Sequence, residues 1–155
     1  MKEFITMRKI DNSLYYQGLE VGDYRFVAIW ALFSPFMRPE ELIDWFCDEN
    51  KTSRTNEYVS IRKESGLIAL YDISEQVFGD EPYASINQML EVAQRFEMSL
   101  KNFAEIIDQW EELRVSRPDI ILVVIHEDNH VSLETDPIII KEYQDAGYAF
   151  DIDKQ

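Results

Sequence analysis

The run SLKNFAEIIDQWEELRVSRPDIILVVIHEDNHVSLET, residues 99 to 135, leaves few folds open, because it marks a helix at both ends and follows it with two strand-like segments. Ser99 is a good N-cap, Phe103, Ile106, Ile107, Trp110 and Leu113 recur at spacings of three and four, Arg114 and Arg117 sit where the helix dipole favours cations, and Pro118 stops the repeat. The pattern predicts a helix over about 100–116, packed on a sheet through that apolar face. Its other side carries Glu105, Asp108 and Glu112 at i, i+3, i+7, with Glu111 adjacent. Like charges at this spacing cost a few tenths of a kcal/mol per pair, roughly, so this face is not composed for the helix's own stability.

The segments after the helix, IILVVI (Ile120 to Ile125) and VSLET (Val131 to Thr135), are rich in β-branched residues and short enough for strands. Between them lies H-E-D-N-H, a literal match to the zinc-protease pattern H-E-x-x-H, which brings two imidazoles together only on a helix. Here Asp128 and Asn129 have turn chemistry, so a hairpin is expected rather than a metal site. A two-residue loop, Asp128-Asn129, would pair His126 with Val131 and point the two imidazoles to opposite faces. A three-residue loop, Glu127 to Asn129, would instead set His126 opposite His130 and make a surface metal contact geometrically possible.

Upstream, Asp23 to Phe33 is apolar on both parities and reads as a strand buried on both faces, stopping at Ser34-Pro35. PEELIDWFCDEN predicts a shorter helix over about 39–50, with Pro39 at its first turn, Leu42, Ile43 and Phe46 inward, and Glu41, Asp44 and Asp48 forming an outward acidic stripe. EYVSIRK and GLIALYDI, separated by Glu64, Ser65 and Gly66, predict a hairpin. Asp72 to Pro82 reads as an acidic loop. INQMLEVAQRFEMS satisfies both periodicities, and a strand is expected at about Met89 to Met98. The tail after Thr135 fits either a last strand or a short helix capped at Gly147.

With 46% hydrophobic residues in 155, the chain has enough material for one core, and no repeat or linker marks a boundary, so a single domain over 1–155 is expected. The single Cys47 excludes an intramolecular disulfide and reads as a small buried hydrophobe in a helix. The longest apolar run, FVAIWALF, is too short to span a bilayer, and the N-terminal residues lack a signal-peptide core, so a cytoplasmic protein without membrane contact is expected.

Thirty Asp plus Glu face 15 Lys plus Arg, a net charge of -15. Residues 72 to 155 hold 6 basic and 19 acidic side chains, or -13, against 5 basic and 4 acidic in residues 1 to 38. Such a field repels nucleic acid and attracts a basic partner at a salt-dependent rate. Trp45 and Trp110 lie on acidic helices rather than basic ones, which also disfavours direct nucleic-acid binding. Phosphate loops, dinucleotide fingerprints, C-x-x-C and G-x-S-x-G are missing from the sequence, and only two His are present, so no active site or cofactor is implied.

GLIALYDISE, followed by RFEMSLKNFAEIIDQWEELRVSRPDIILVVIHEDNHVSLET, resembles small bacterial immunity proteins of polymorphic-toxin and contact-dependent growth-inhibition systems. The residues that carry the resemblance are Leu70 to Glu75, Met98-Ser99, Phe103 to Glu112 and Pro118 to Thr135, and PEELIDWF is similar to a helix such proteins place before the hairpin. It covers about residues 39 to 136. The resemblance implies a non-enzymatic inhibitor of a cognate toxin domain, often a nuclease.

These readings combine into an expected α+β domain, with a largely antiparallel sheet, the helix at about 100–116 packed on it and the shorter helix at about 39–50. The expected contact surface for a basic toxin domain is Glu41, Asp44, Asp48, Glu105, Asp108, Glu111 and Glu112, with Trp45 as an apolar anchor. A small acidic secretion chaperone, binding an extended effector segment through an apolar groove and forming dimers, is the alternative. An enzyme survives mainly through the three-residue-loop version of the histidine pair.

Overall fold

In the computed structural model, which describes residues 3–9, 16–18, 29, 32, 38–74, 77, 79 and 85–145, the long helix forms where its sequence dictates. It spans Leu100–Ser116, and the Ser99 hydroxyl accepts from the backbone N–H of Asn102 at 3.0 Å. Arg117 closes it in a left-handed conformation (φ 51°, ψ 59°) just before Pro118. Phe103, Ile106, Ile107, Trp110 and Leu113 are all buried, each stabilising the fold by roughly 1.5–3 kcal/mol relative to exposure.

The described elements run β1 (Glu3–Lys9), β2 (Tyr16–Gly18), α1 (Pro39–Cys47), β3 (Ser53–Thr55), β4 (Val59–Glu64), β5 (Leu67–Asp72), α2 (Ile86–Val92), β6 (Gln94–Ser99), α3 (Leu100–Ser116), β7 (Ile120–Ile125), β8 (Val131–Glu134) and α4 (Pro137–Asp145). The fold is α+β, and the described strands divide between two four-stranded sheets, ordered β2-β1-β7-β8 and β3-β4-β5-β6. Every described pairing is antiparallel. One apolar core joins the sheets: Ile61, Ile68, Leu70, Phe96 and Met98 from one, Ile121, Val123, Ile125, Val131 and Leu133 from the other, with α1 and α3 contributing Leu42, Trp45, Phe103 and Trp110. β7 also buries its second face, where Leu122 and Val124 meet Ile140 and Tyr143 of α4. That accounts for the unbroken run IILVVI, since a strand covered on both faces has no position for a polar side chain.

The first hairpin turns on Ser65 and Gly66, both at positive φ (51° and 76°), and Glu64 pairs with Leu67 as part of the ladder rather than of the loop. Both signs suit the twist of a two-residue hairpin. The second hairpin forms as expected, with the longer of the two loops that its residues allow. Ile125 pairs with Val131, so the loop is Glu127 to Asn129 and His126 lies opposite His130. The N–H of Asn129 donates to the carbonyl of His126 (3.0 Å), and Asn129 then takes φ 64°, the left-handed residue that a three-residue loop requires.

Four further expectations are corrected. Ile29 and Leu32, inside the segment expected as a buried strand, are helical and fully buried; the rest of Asp23 to Phe33 lies outside the described residues. Met89 to Met98 is two elements, the end of α2 and then β6, which uses the two periodicities in succession. Within the expected loop of residues 72–82, Ser74 and Val77 are helical, and the remainder past Ser74 is otherwise undescribed apart from Gly79. Cys47 is exposed, because α1 ends there and its side chain falls on the outer side. The tail resolves as the helix α4, started by Asp136, whose carboxylate accepts the N–H of Ile138 at 2.9 Å; Gly147 lies outside the described residues. No described helix is long and apolar enough to cross a membrane.

Candidate functional site

The eight residues expected to form a contact surface do not behave alike. Trp45 is 3% exposed and packs edge-on against Phe103 (ring centroids 6.1 Å apart), so it belongs to the core and is not a free anchor. Its ring also carries the Lys63 ammonium at 4.6 Å. That ammonium donates to the carbonyls of Trp45 (2.7 Å) and Asp48 (2.9 Å), closing the end of α1 three residues before the predicted stop.

Three of the acids are engaged within the fold. Glu41 receives the Arg54 guanidinium from β3 at 2.6 Å. Asp48 accepts the N–H of Asn50 and faces Lys51 at 3.9 Å. Glu105 lies 3.6 Å from Nε2 of His130 and 4.0 Å from Lys101. Glu41 thus points toward the β3 side and Glu105 toward the β7–β8 hairpin, so the two acidic stripes are not one continuous surface. Between α1 and α3, Arg114 faces Glu40 at 3.5 Å.

Asp44, Asp108, Glu111 and Glu112 are exposed and have no ion-pair or hydrogen-bond partner among the described residues. The last three lie together on the outward side of α3, opposite Ile106, Trp110 and Leu113. Val115, 84% exposed, follows Asp108, Glu111 and Glu112 by seven, four and three positions, and therefore sits beside them on the same side. Sequence reasoning passed over Val115; its signal was an aliphatic residue out of phase with the apolar face.

The histidine pair is placed by the three-residue loop with its ring centroids 5.5 Å apart. Nε2 of His126 lies 2.9 Å from the Ser132 hydroxyl, while Nε2 of His130 is directed at Glu105 on the helix. The two Nε2 atoms therefore address different neighbours. Among the described residues no three His, Cys, Asp or Glu side chains gather round one point that could hold a metal ion.

Two amide side chains fasten α3 to the edge of the sheet. Asn102, buried, donates from Nδ2 to the carbonyl of Val131 and accepts the Val131 N–H at Oδ1, both at 2.8 Å. One turn pair further along, Gln109 donates to the carbonyl of Leu133 at 2.8 Å. The β8 edge is thereby closed by helix side chains where another strand would otherwise add.

Comparison with protein-family models, with curated proteins and with solved structures finds no match for this chain.

Proposed function

We propose that this chain is an immunity protein, neutralising a cognate basic toxin domain in the cytoplasm by stoichiometric binding rather than by catalysis. The observation that carries the reading is the outward ridge of α3, where Asp108, Glu111 and Glu112 are exposed without cations, beside the exposed Val115. Neighbouring carboxylates repel one another by a few tenths of a kcal/mol per pair, roughly, and a Lys- or Arg-rich surface would relieve that repulsion on binding. Such a basic surface on a nuclease is the one that holds phosphates, so a carboxylate ridge seated there would exclude nucleic acid. Asp44 is a further free acid on α1, whereas Glu41, Asp48 and Glu105 would have to give up existing partners.

A rescue assay tests this directly. The C-terminal domain encoded by the upstream neighbouring gene is expressed with and without this chain, and survivors are counted. Killing by the domain alone and growth with this chain is the expected result. Killing in both cases, or a harmless domain, overturns the reading. With the pair purified, Asp108→Lys, Glu111→Lys and Glu112→Lys together should weaken binding at low salt, and unchanged affinity would remove the ridge from the interface.

A further inference from the structure

Of the described strand edges, one is both long and open. β8 is closed by Asn102 and Gln109 from α3, and β2 and β3 have three residues each. β6 has six, pairs on one side with β5, and makes no backbone hydrogen bond on its other side among the described residues. Gln94, Arg95, Glu97 and Ser99 along it are exposed. A strand of this length with free N–H and C=O groups is a template for another strand.

We infer that β6 pairs antiparallel with β6 of a second copy, joining two four-stranded sheets into one of eight. Its side chains carry the argument, because they are complementary to themselves in one arrangement. With the two-fold axis normal to the sheet, a residue must face its own copy at the centre. Centring on Arg95 or on Glu97 sets like charges directly opposite, which destabilises a strand pair. Centring on Phe96 sets Arg95 of each copy opposite Glu97 of the other, twice, and Gln94 opposite Met98. The same symmetry brings Val92, at the end of α2, toward Leu100, at the start of α3, on both flanks, and these are two of the exposed large hydrophobic side chains.

The charges are already in place on the isolated strand. Arg95 lies 3.1 Å from Glu64 and 2.6 Å from Glu97, so its guanidinium is shared by two carboxylates, and a second copy adds an arginine to that surplus of acid. Against this stands the net -15 on each chain, which opposes association at long range, so the dimer should tighten as salt screens it. The pairing is independent of what the α3 ridge binds, and its salt response is opposite in sign.

The test is sedimentation of the full chain from about 1 to 200 µM, where a useful self-affinity would register. The wild type should move from 18.3 kDa to twice that mass. Arg95→Glu alone and Glu97→Arg alone each place like charges opposite, and each should dimerise about tenfold more weakly or worse. Mixing the two variants restores opposite charges at both positions and should recover a dimer, as should the double swap Arg95→Glu with Glu97→Arg. A wild type that stays at one chain's mass overturns the inference, as do single variants that dimerise like the wild type or a mixture no better than its components. Circular dichroism of each variant checks that the fold is retained.

Discussion

Removing the Asn102 side chain should cost the fold more than any change on the surface of α3. Asn102 is 3% exposed and makes two 2.8 Å hydrogen bonds to the N–H and C=O of Val131, at the edge of β8. Its amide stands in for the peptide group of a missing neighbouring strand. In Asn102→Ala both backbone groups lose their partner, and an orphaned buried donor or acceptor costs roughly 1–3 kcal/mol, giving about 2–4 kcal/mol together once partial water access at an edge is allowed for. With a urea m-value of about 2 kcal/mol/M for a domain of this size, the unfolding midpoint should fall by about 1–2 M. Gln109→Ala breaks a single half-buried bond and should cost about 0.5–1 kcal/mol. Asn102→Asp keeps the acceptor for the Val131 N–H but sets a carboxylate against its carbonyl, so it should be at least as damaging at neutral pH and partly recover when acid protonates it. A midpoint for Asn102→Ala within about 0.3 M of the wild type would mean instead that water reaches Val131 freely and that the amide pair contributes little.

Trp110→Ala should destabilise by about 3–5 kcal/mol in the same urea assay, since it empties the centre of the joint core. Lys63→Met, which retains much of the stem but loses the bonds to the carbonyls of Trp45 and Asp48, should cost about 1–2 kcal/mol and fray the end of α1, read as faster amide exchange at Asp48. Burial, and then the hydrogen bond to Glu64, raise the Tyr71 phenol above its ordinary value. A raised folded-state pKa stabilises fully below the unfolded value and is lost as pH rises through the folded one, so the stability gap between wild type and Tyr71→Phe should narrow above about pH 10, measured by urea unfolding at neutral and alkaline pH. Asp108→Lys should leave stability unchanged or raise it by a few tenths of a kcal/mol, roughly, because it relieves repulsion on α3, while making binding to the proposed toxin partner less sensitive to salt.

The parts of the fold legible in the residues are those decided locally. The bounds of α3 follow from Ser99, the apolar stripe and Pro118, and the strand character of Ile120 to Ile125 from its β-branched run. Where two local answers satisfy the same residues, the choice was not in the sequence. Asp128-Asn129 suits a two-residue loop, yet Asn129 alone in the left-handed region makes a three-residue one, and that single step brings His126 opposite His130. In α1 the apolar residues Leu42, Ile43, Trp45 and Phe46 cover almost half the helix circumference. Which of them reaches the centre depends on where Phe103 of α3 packs, and it packs against Trp45 and Phe46. β1 is not marked by its neighbours in sequence, because its central partner β7 lies more than a hundred residues further along the chain.

The same division applies to the acids. Their number and phase were readable, but whether a carboxylate is free depends on which cation the fold brings to it. Glu41 and Asp44 lie on one turn of one helix, and only Glu41 meets Arg54, thirteen residues away on a strand. An acidic stripe in a sequence therefore marks where binding can occur, whereas the cations that folding brings to it decide where it is free to. On α3 the described fold brings basic groups to Glu105, at the hairpin end of the stripe, and none to Asp108, Glu111 or Glu112. A partner that discriminates by charge would meet those three first, and its arginines would compete with nothing but water.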